Sequence, residues 1–190
     1  MADFICDRTF KAQDFTKTRL KRAEYENCRF EGCDFSDGFL DNQHFMECTF
    51  LECNLSNANV VNTIFKEVRF EHCKMMGLKF ETCNALFIDF GFLDCTLNYS
   101  SFYGLTLKGL RMVDSKLIGA DFTDCNLTQS QFVRCNLENA LFQNTNLSQA
   151  DVSTSTNMNI DPERNVLSNC TFSMENLPGL LAKYKIKVVS

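Results

Sequence analysis

Cysteine is the residue type with the greatest capacity for chemistry in this chain, which has 190 residues and 11 cysteines. Zinc-binding cysteines usually occur in pairs separated by two to four residues. Here the close pairs, such as Cys28 with Cys33 and Cys48 with Cys53, are five residues apart. Because a buried free cysteine packs as a small hydrophobic residue, we expect structural thiols that bind no metal and no cofactor.

The other candidate catalytic residues form no recognisable constellation. The chain has two histidines, His44 and His72, and both lie at positions that we expect to face solvent. Neither therefore provides a general base beside a nucleophile. No catalytic residue is predicted.

The composition argues against several classes of protein. A net charge of -5 is unlike that of a broadly basic nucleic-acid-binding protein. No apolar segment approaches the roughly 20 residues of a membrane-spanning helix, and the first residues lack the pattern of a secretory signal. Abundant free thiols are typical of a reducing compartment. We therefore expect a cytoplasmic protein that binds neither nucleic acid nor membrane directly.

Large apolar residues recur at every fifth position over most of the sequence. One series of 15 positions runs from Phe10 to Phe80, and a shift of two residues starts a second series of 14 positions from Phe87 to Val152. Fifteen of the 19 phenylalanines lie in these two series. The residue two places earlier is usually small, and eight of the cysteines occupy that position: Cys28, Cys33, Cys48, Cys53, Cys73, Cys95, Cys125 and Cys135.

A period of five fits neither a helix nor a single strand. A chain with two inward positions in every five must turn regularly, so four pentads form a square coil of about 20 residues, and coils stack at strand spacing. The large residue fills the centre and the small one packs at the corner. The predicted fold is an all-β solenoid, in which one face stacks Phe10, Phe30, Phe50, Phe70, Phe92, Met112, Phe132 and Val152.

Triplets such as Ala58-Asn59-Val60, Ala120-Asp121-Phe122 and Cys125-Asn126-Leu127 resemble the A-(D/N)-L-x-x motif of the pentapeptide-repeat family. The resemblance extends over about residues 8 to 154. It implies a right-handed quadrilateral β-helix. About seven coils at about 4.8 Å each give a rod about 35 Å long.

Several corner positions break the pattern. Because overfilled sites distort the backbone, we expect widened or distorted coils between residues 81 and 110 and fraying of the first coil. The large corner residues are Phe90, Leu105 and Leu110, and the polar ones are Arg8, Gln13 and Gln43.

Beyond the repeat, the sequence predicts three further segments: an N-terminal cap (1–7), an irregular last coil (155–172) and a C-terminal helix and strand (173–190). This last segment resembles the terminal module of the Qnr-type quinolone-resistance proteins and their mycobacterial counterpart. The resemblance implies a homodimer of rods joined end to end, and the alternative is a simple lid on the last coil. The residues of the predicted interface are Leu177, Leu180, Leu181, Tyr184, Ile186 and Val188.

Acidic residues are concentrated between residues 24 and 65, at outward positions. We predict that they form a surface for binding a partner. A continuous negative face would favour a mimic of DNA, and scattered charge would favour a scaffold protein. The residues are Glu24, Glu26, Glu31, Asp34, Asp37, Asp41, Glu47 and Glu52.

The Qnr-type resemblance implies a function for such a surface. Proteins of that type bind the type II topoisomerases DNA gyrase and topoisomerase IV, where the acidic rod takes the place of DNA, and this binding can protect the enzymes from quinolones. Many of them carry two sizeable loops, whereas this chain has an interruption of about two residues between Phe80 and Phe87. The alternative function is a structural scaffold that binds an unidentified protein through its flat faces. A convex rod without a cleft predicts no enzyme activity.

Overall fold

The computed structural model describes residues 3–186 and shows a parallel β-solenoid of about seven coils with a short C-terminal helix. The predicted right-handed quadrilateral β-helix is confirmed. Within residues 3–186, no helix is long and apolar enough to cross a membrane. The strands are Asp3–Cys6 (β1), Thr9–Lys11 (β2), Ala23–Glu26 (β3), Arg29–Glu31 (β4), His44–Met46 (β5), Thr49–Leu51 (β6), Ile64–Lys66 (β7), Val68–Glu71 (β8), Phe90–Leu93 (β9), Arg111–Val113 (β10) and Gln131–Val133 (β11).

Two faces of the rod are parallel sheets. The short sheet face contains β1, β3, β5 and β7, and the long sheet face contains β2, β4, β6, β8, β9, β10 and β11, in those orders. The other two faces follow the long sheet face along the chain and are called the first and second turn faces. Their coils are joined by single bridges, such as Asp34 to Asn54 on the first and Ser101 to Asp121 on the second.

Local sequence decides which pentads become turns. On the turn faces, the residue before the central one is often Asp or Asn, and its side chain accepts a hydrogen bond from the backbone N–H two residues on. Asp34 accepts from Ser36 at 2.9 Å, and Asn59 accepts from Val61 at 3.1 Å. This local bond stabilises the turn. On the sheet faces the same position holds residues such as the β-branched Thr49, which favours a strand.

The central residues of the long sheet face form the predicted ladder, which the pairing of β2 to β11 confirms. The first five rings stack with centroid separations of 4.8, 4.8, 5.1 and 5.4 Å. Such stacking adds to the free energy gained from apolar burial. The ladder consists of Phe10, Phe30, Phe50, Phe70, Phe92, Met112, Phe132 and Val152.

The corner residues are hydrogen-bond donors as well as small side chains. The thiol of Cys53 donates to the carbonyl of Phe30 in the preceding coil at 3.3 Å. Where a corner holds threonine, the hydroxyl makes the same bond, as from Thr63 to the carbonyl of Leu40 at 2.7 Å. A corner cysteine, serine or threonine therefore donates a hydrogen bond to a buried carbonyl oxygen. A corner alanine has no such donor, so that carbonyl bonds to backbone N–H groups alone.

The two-residue insertion lies between Asn84 and Asp89. Within it, Ala85–Phe87 forms a single turn of 3-10 helix in place of a strand, and the Asn84 side chain accepts the Leu86 N–H at 3.2 Å. The extra residues bulge outward. Phe87 is 49% exposed, so the prediction that it fills the core is wrong.

Phe90 occupies the interior in place of Phe87. Its ring centroid lies 5.1 Å from those of both Phe80 and Phe92, and it is buried. A phenylalanine therefore fits this corner because the bulged segment leaves space beside it.

The distortion expected between residues 81 and 110 is confined to its first part. Strands β9 and β10 pair in register, and the large corner residues Leu105 and Leu110 are buried in regular coils. At the N-terminal end, β1 pairs with β3 and β2 pairs with β4, so the first coil is hydrogen-bonded to the second.

The helical segment after the last coil consists of 3-10 turns at Met174–Asn176 and Ala182–Tyr184 around the α-helix Leu177–Leu181 (α1). Further single 3-10 turns are Phe80–Thr82 and Pro162–Arg164. The amide of Asn176 does not cap α1. It is buried and donates to the carbonyls of Val152 and Ser155. It therefore provides hydrogen-bond donors for carbonyl groups at the C-terminal end of the coil stack.

Candidate partner-binding surfaces

The cysteines at the corners are shielded from solvent in the part of the chain that the structure describes. Residues 3–186 contain no group of His, Cys, Asp and Glu that could hold a metal ion. Burial raises the pKa of the Cys48 and Cys125 thiols to about 12 and that of Cys135 to about 11. These thiols are protonated and shielded at neutral pH, which makes them poor nucleophiles. The groups that a partner could reach lie on the outer faces.

The predicted acidic surface is divided among all four faces. Glu24 and Glu26 lie on the short sheet face in β3, and Glu31 lies on the long sheet face in β4. The pentads that contain Asp34 and Asp37 form part of the first turn face. Charge around these coils is scattered rather than gathered on one face.

Two of the eight acidic residues are neutralised by basic neighbours. Glu31 forms ion pairs with Lys11 at 2.8 Å and Arg29 at 2.6 Å, and these two cations lower the pKa of its carboxyl group. On the second turn face, Asp41 pairs with Arg19 at 2.9 Å. These carboxylates contribute little net charge to a docking surface.

A line of carboxylates, interrupted in one coil, lies along one edge of the rod, where the short sheet face meets the long sheet face. This acidic edge consists of Asp7, Glu47, Glu67 and Asp89, with Asn27 between the first two. The register of β7, β8 and β9 places one of these residues in each successive coil. All four carboxylates are exposed, and among residues 3–186 none forms an ion pair.

Sequence reasoning identified only Glu47 of this edge, together with Glu24 and Glu26 beside it. Asp7, Glu67 and Asp89 were missed because they lie outside the densest acidic stretch of the chain. Counting along the sequence in steps of 20 residues, with one step of 22 across the insertion, places these three residues on the same edge as Glu47. The eighth predicted residue, Glu52, follows β6 at the opposite edge of the long sheet face.

A second exposed feature is the apolar knob formed by Ala85–Phe87 on the short sheet face. Leu86 is 86% exposed, and Phe87 projects beside it. The hydrogen bond from Leu86 N–H to Asn84 holds the turn in place. Large apolar side chains presented to water in this way are typical of a contact with another protein.

The C-terminal helical segment packs on the last coil with one side and exposes apolar residues on the other. Leu180 packs against the core. A Cβ atom at Gly179 would clash with the Met158 carbonyl, so the helix lies directly on the backbone of the last coil. Lys183 fixes this arrangement through ion pairs of 2.7 Å with both Asp161 and Glu163.

The other predicted interface residues lie on the exposed side of this segment. Leu177, Leu181, Tyr184 and Ile186 are between 37% and 58% exposed, whereas Leu180 belongs to the lid contact. Val188 and most of the predicted terminal strand lie outside the described residues. The structure thus contains a lid and, on its outer side, an apolar surface.

Comparison with known proteins gives matches to repeat families and to solved structures. Family models described as "Pentapeptide repeat region" and "Pentapeptide repeats (8 copies)" match residues 43–122 and 120–156. No curated protein sequence matches the chain significantly.

The similar solved structures are pentapeptide-repeat proteins of low sequence identity. A trypsin-treated variant of QnrB1, a plasmid-mediated fluoroquinolone resistance protein, is 21% identical, with 100% of this chain and 99% of that chain covered and a TM-score of 0.44. HetL, involved in heterocyst differentiation regulation in the cyanobacterium Nostoc sp. strain PCC 7120, is 13% identical, with 90% and 86% covered and a TM-score of 0.48. A thylakoid-lumen protein of Arabidopsis thaliana is 17% identical, with 80% and 90% covered and a TM-score of 0.32.

The two family models together span residues 43–156, which is more than half of the chain. With the pentads, the ladder and the corner residues described above, they show that this chain belongs to the pentapeptide-repeat family.

Proposed function

We propose that this protein is a non-enzymatic, cytoplasmic binding rod whose acidic edge docks on a basic surface of a type II topoisomerase, DNA gyrase or topoisomerase IV, as a partial mimic of DNA. The observation that carries the proposal is the acidic edge, in which Asp7, Glu47, Glu67 and Asp89 project from four of five successive coils and form no ion pair among residues 3–186. The Qnr-type resemblance supplies the candidate enzyme.

The charge density of the edge supports mimicry in part. From Asp7 to Asp89 the edge spans four coil steps, or about 19 Å at strand spacing. Duplex DNA carries about 11 charges over that length. The four carboxylates of the edge, with Glu24 and Glu26 beside them, supply about half as many. Binding through such an edge gains from electrostatic steering and weakens as salt rises.

A homodimer would extend the rod. We propose that Leu177, Leu181, Tyr184 and Ile186, with Val188, form an isologous contact between two C-terminal segments, because a lid alone leaves their apolar surface in water. Two rods end to end would reach about 70 Å, twice the single length.

Light scattering tests the dimer. Leu181→Asp places a charge in the contact and should give a monomer, whereas the control Leu141→Asp, at an exposed leucine on the side of the rod, should leave the mass of a dimer. An unchanged mass for Leu181→Asp would leave the segment as a lid only.

The second candidate function is a scaffold that binds another protein through its faces. The apolar knob favours it, since Leu86 is the most exposed large apolar residue among those described. A docking contact of this kind depends on apolar burial, so added salt should not weaken it as it weakens an ionic contact.

A supercoiling assay with purified gyrase, with and without a quinolone, separates the two candidates. The wild-type protein should change supercoiling or relieve quinolone inhibition. Glu67→Lys should be about tenfold weaker, because it reverses a charge in the edge. The matched control, Glu138→Lys on the first turn face, should act like wild type. If the wild-type protein has no effect on gyrase at micromolar concentration, the proposal of topoisomerase binding is wrong and the scaffold function is favoured.

A further inference from the structure

The long sheet face carries a notch at Gly91. The residues that precede the central residues Phe70, Phe92 and Met112 line up in register across β8, β9 and β10 as Arg69, Gly91 and Arg111. The glycine leaves a cleft of about 230 Å³ between the two arginines. Leu93 and Val113 lie beside it, and Phe70 and Phe92 form its floor.

The backbone does not require glycine at this position. Gly91 has no positive φ, and a Cβ atom there would meet only the Arg111 carbonyl oxygen, at an ordinary contact distance of 3.7 Å. Glycine weakens the interior of a strand and is often found where another molecule approaches the backbone closely. The effect of glycine at residue 91 is therefore to leave the cleft open.

The two arginines beside the notch differ from others on the same face. Arg29 pairs with Glu31 at 2.6 Å, and Arg134 makes bidentate bonds to Asp114 at 2.6 and 2.7 Å. Among residues 3–186, Arg69 and Arg111 form no ion pair, although both are exposed. They lie two strands apart, which is about 9.6 Å. An anionic group seated over Gly91 would lie between both guanidinium groups.

The surroundings favour a single carboxylate over a polyanion. Glu71 lines the notch, and Asp94 and Asp114 follow Leu93 and Val113 at its edge. Asp114 is paired with Arg134, whereas Glu71 and Asp94 form no ion pair with lysine or arginine among residues 3–186 and would repel a nucleic acid or a phosphate cluster. The half-exposed Leu93 instead offers an apolar surface to a neighbouring aliphatic side chain, and Val113 lines the notch beside it.

We propose that this notch is a docking site for a protein segment that presents an Asp or Glu side chain next to an aliphatic residue. The carboxylate accepts hydrogen bonds from Arg69 and Arg111, which are strong because both partners are charged. The aliphatic side chain packs on Leu93 and Val113. The site lies on the long sheet face, and it depends neither on the acidic edge nor on the identity of the topoisomerase.

NMR titration of the full chain with short blocked peptides tests this site. The probe is acetyl-Leu-Glu-Leu-amide, and the matched probe is acetyl-Leu-Gln-Leu-amide. The Glu peptide should shift the Gly91 amide signal and the Arg69 and Arg111 Nε–H signals, and the Gln peptide should bind about tenfold more weakly because it lacks the charge. Absence of shifts with millimolar Glu peptide, or equal binding of both peptides, would overturn the proposal.

Two variants locate the binding. Gly91→Val fills the notch with a residue that suits a central strand, so the chain should remain folded and lose the peptide. Arg111→Gln should weaken binding about tenfold through loss of a charged donor, whereas the control Arg29→Gln should not. Unchanged binding by Gly91→Val contradicts the site. Inorganic phosphate that binds as tightly as the Glu peptide shows a general anion site and contradicts protein docking.

Discussion

The long and short sheet faces start from the same pentad pattern and end differently. On the long sheet face, seven strands continue through the insertion, because β8 pairs directly with β9. On the short sheet face the sheet ends at β7, where the turn Ala85–Phe87 replaces the next strand. The difference teaches that hydrogen-bond register between coils, and not the spacing of apolar residues alone, decides which phenylalanine enters the core.

The largest expected effect lies in the unbroken ladder of the long sheet face. Phe50 is fully buried and stacks on Phe30 and Phe70. Phe50→Ala should lower the free energy of unfolding by about 3–5 kcal/mol, because it leaves a cavity in a close-packed interior. Urea unfolding measures the loss.

The control for this variant is Phe39→Ala, at a half-exposed phenylalanine of the second turn face. It should cost less than about 1 kcal/mol, since it opens no cavity. Where Phe50→Ala does not fold, Phe50→Leu provides a milder change. Equal losses at Phe39 and Phe50 would contradict a core centred on the ladder.

A smaller effect is expected at the insertion, and it separates register from spacing. Phe90→Ala should cost about 3 kcal/mol because Phe90 is buried between the Phe80 and Phe92 rings. Phe87→Ala should cost less than about 1 kcal/mol, since its ring is half exposed. Thermal or urea unfolding of the two variants shows which one loses more stability. The reverse order would mean that the five-residue spacing continues through the insertion.

Much of the fold follows from the sequence because the pentad is a strictly local rule. The stacking of Phe50 on Phe70 requires only a step of 20 residues, which the spacing contains. The exchange of Phe87 for Phe90 does not follow from spacing, since both are phenylalanines. It depends on the Asp89 N–H, which bonds to the carbonyl of Phe65 and returns the chain to register after the bulge.

The candidate surfaces were less accessible to sequence reasoning. A count of charges along the chain groups Glu31 and Asp41 with Glu47, yet the first two are paired with cations and lie on other faces. The acidic edge joins residues 20 or 22 positions apart, so it becomes visible only after each residue is assigned to a face. The notch at Gly91 depends in addition on which neighbouring arginines lack a partner.

The smallest effect concerns the corners, where the long sheet face and the turn faces differ in chemistry. Cys53 follows a strand, and its thiol donates to the Phe30 carbonyl. Ala58 follows a turn, where its own N–H bonds to the Leu55 carbonyl at 3.1 Å. Cys53→Ala should cost about 1 kcal/mol, because it removes the thiol hydrogen bond to a buried carbonyl.

Cys53→Ser is the matched variant, because a corner serine already makes this bond elsewhere: the Ser155 hydroxyl donates to the Phe132 carbonyl at 2.7 Å. Serine at residue 53 should retain the donor and cost less than alanine in urea unfolding. Equal losses for the two variants would show that sulfur packing, rather than the hydrogen bond, stabilises this corner. A larger loss for alanine than for serine would show that the corner hydrogen bond stabilises the stack of coils.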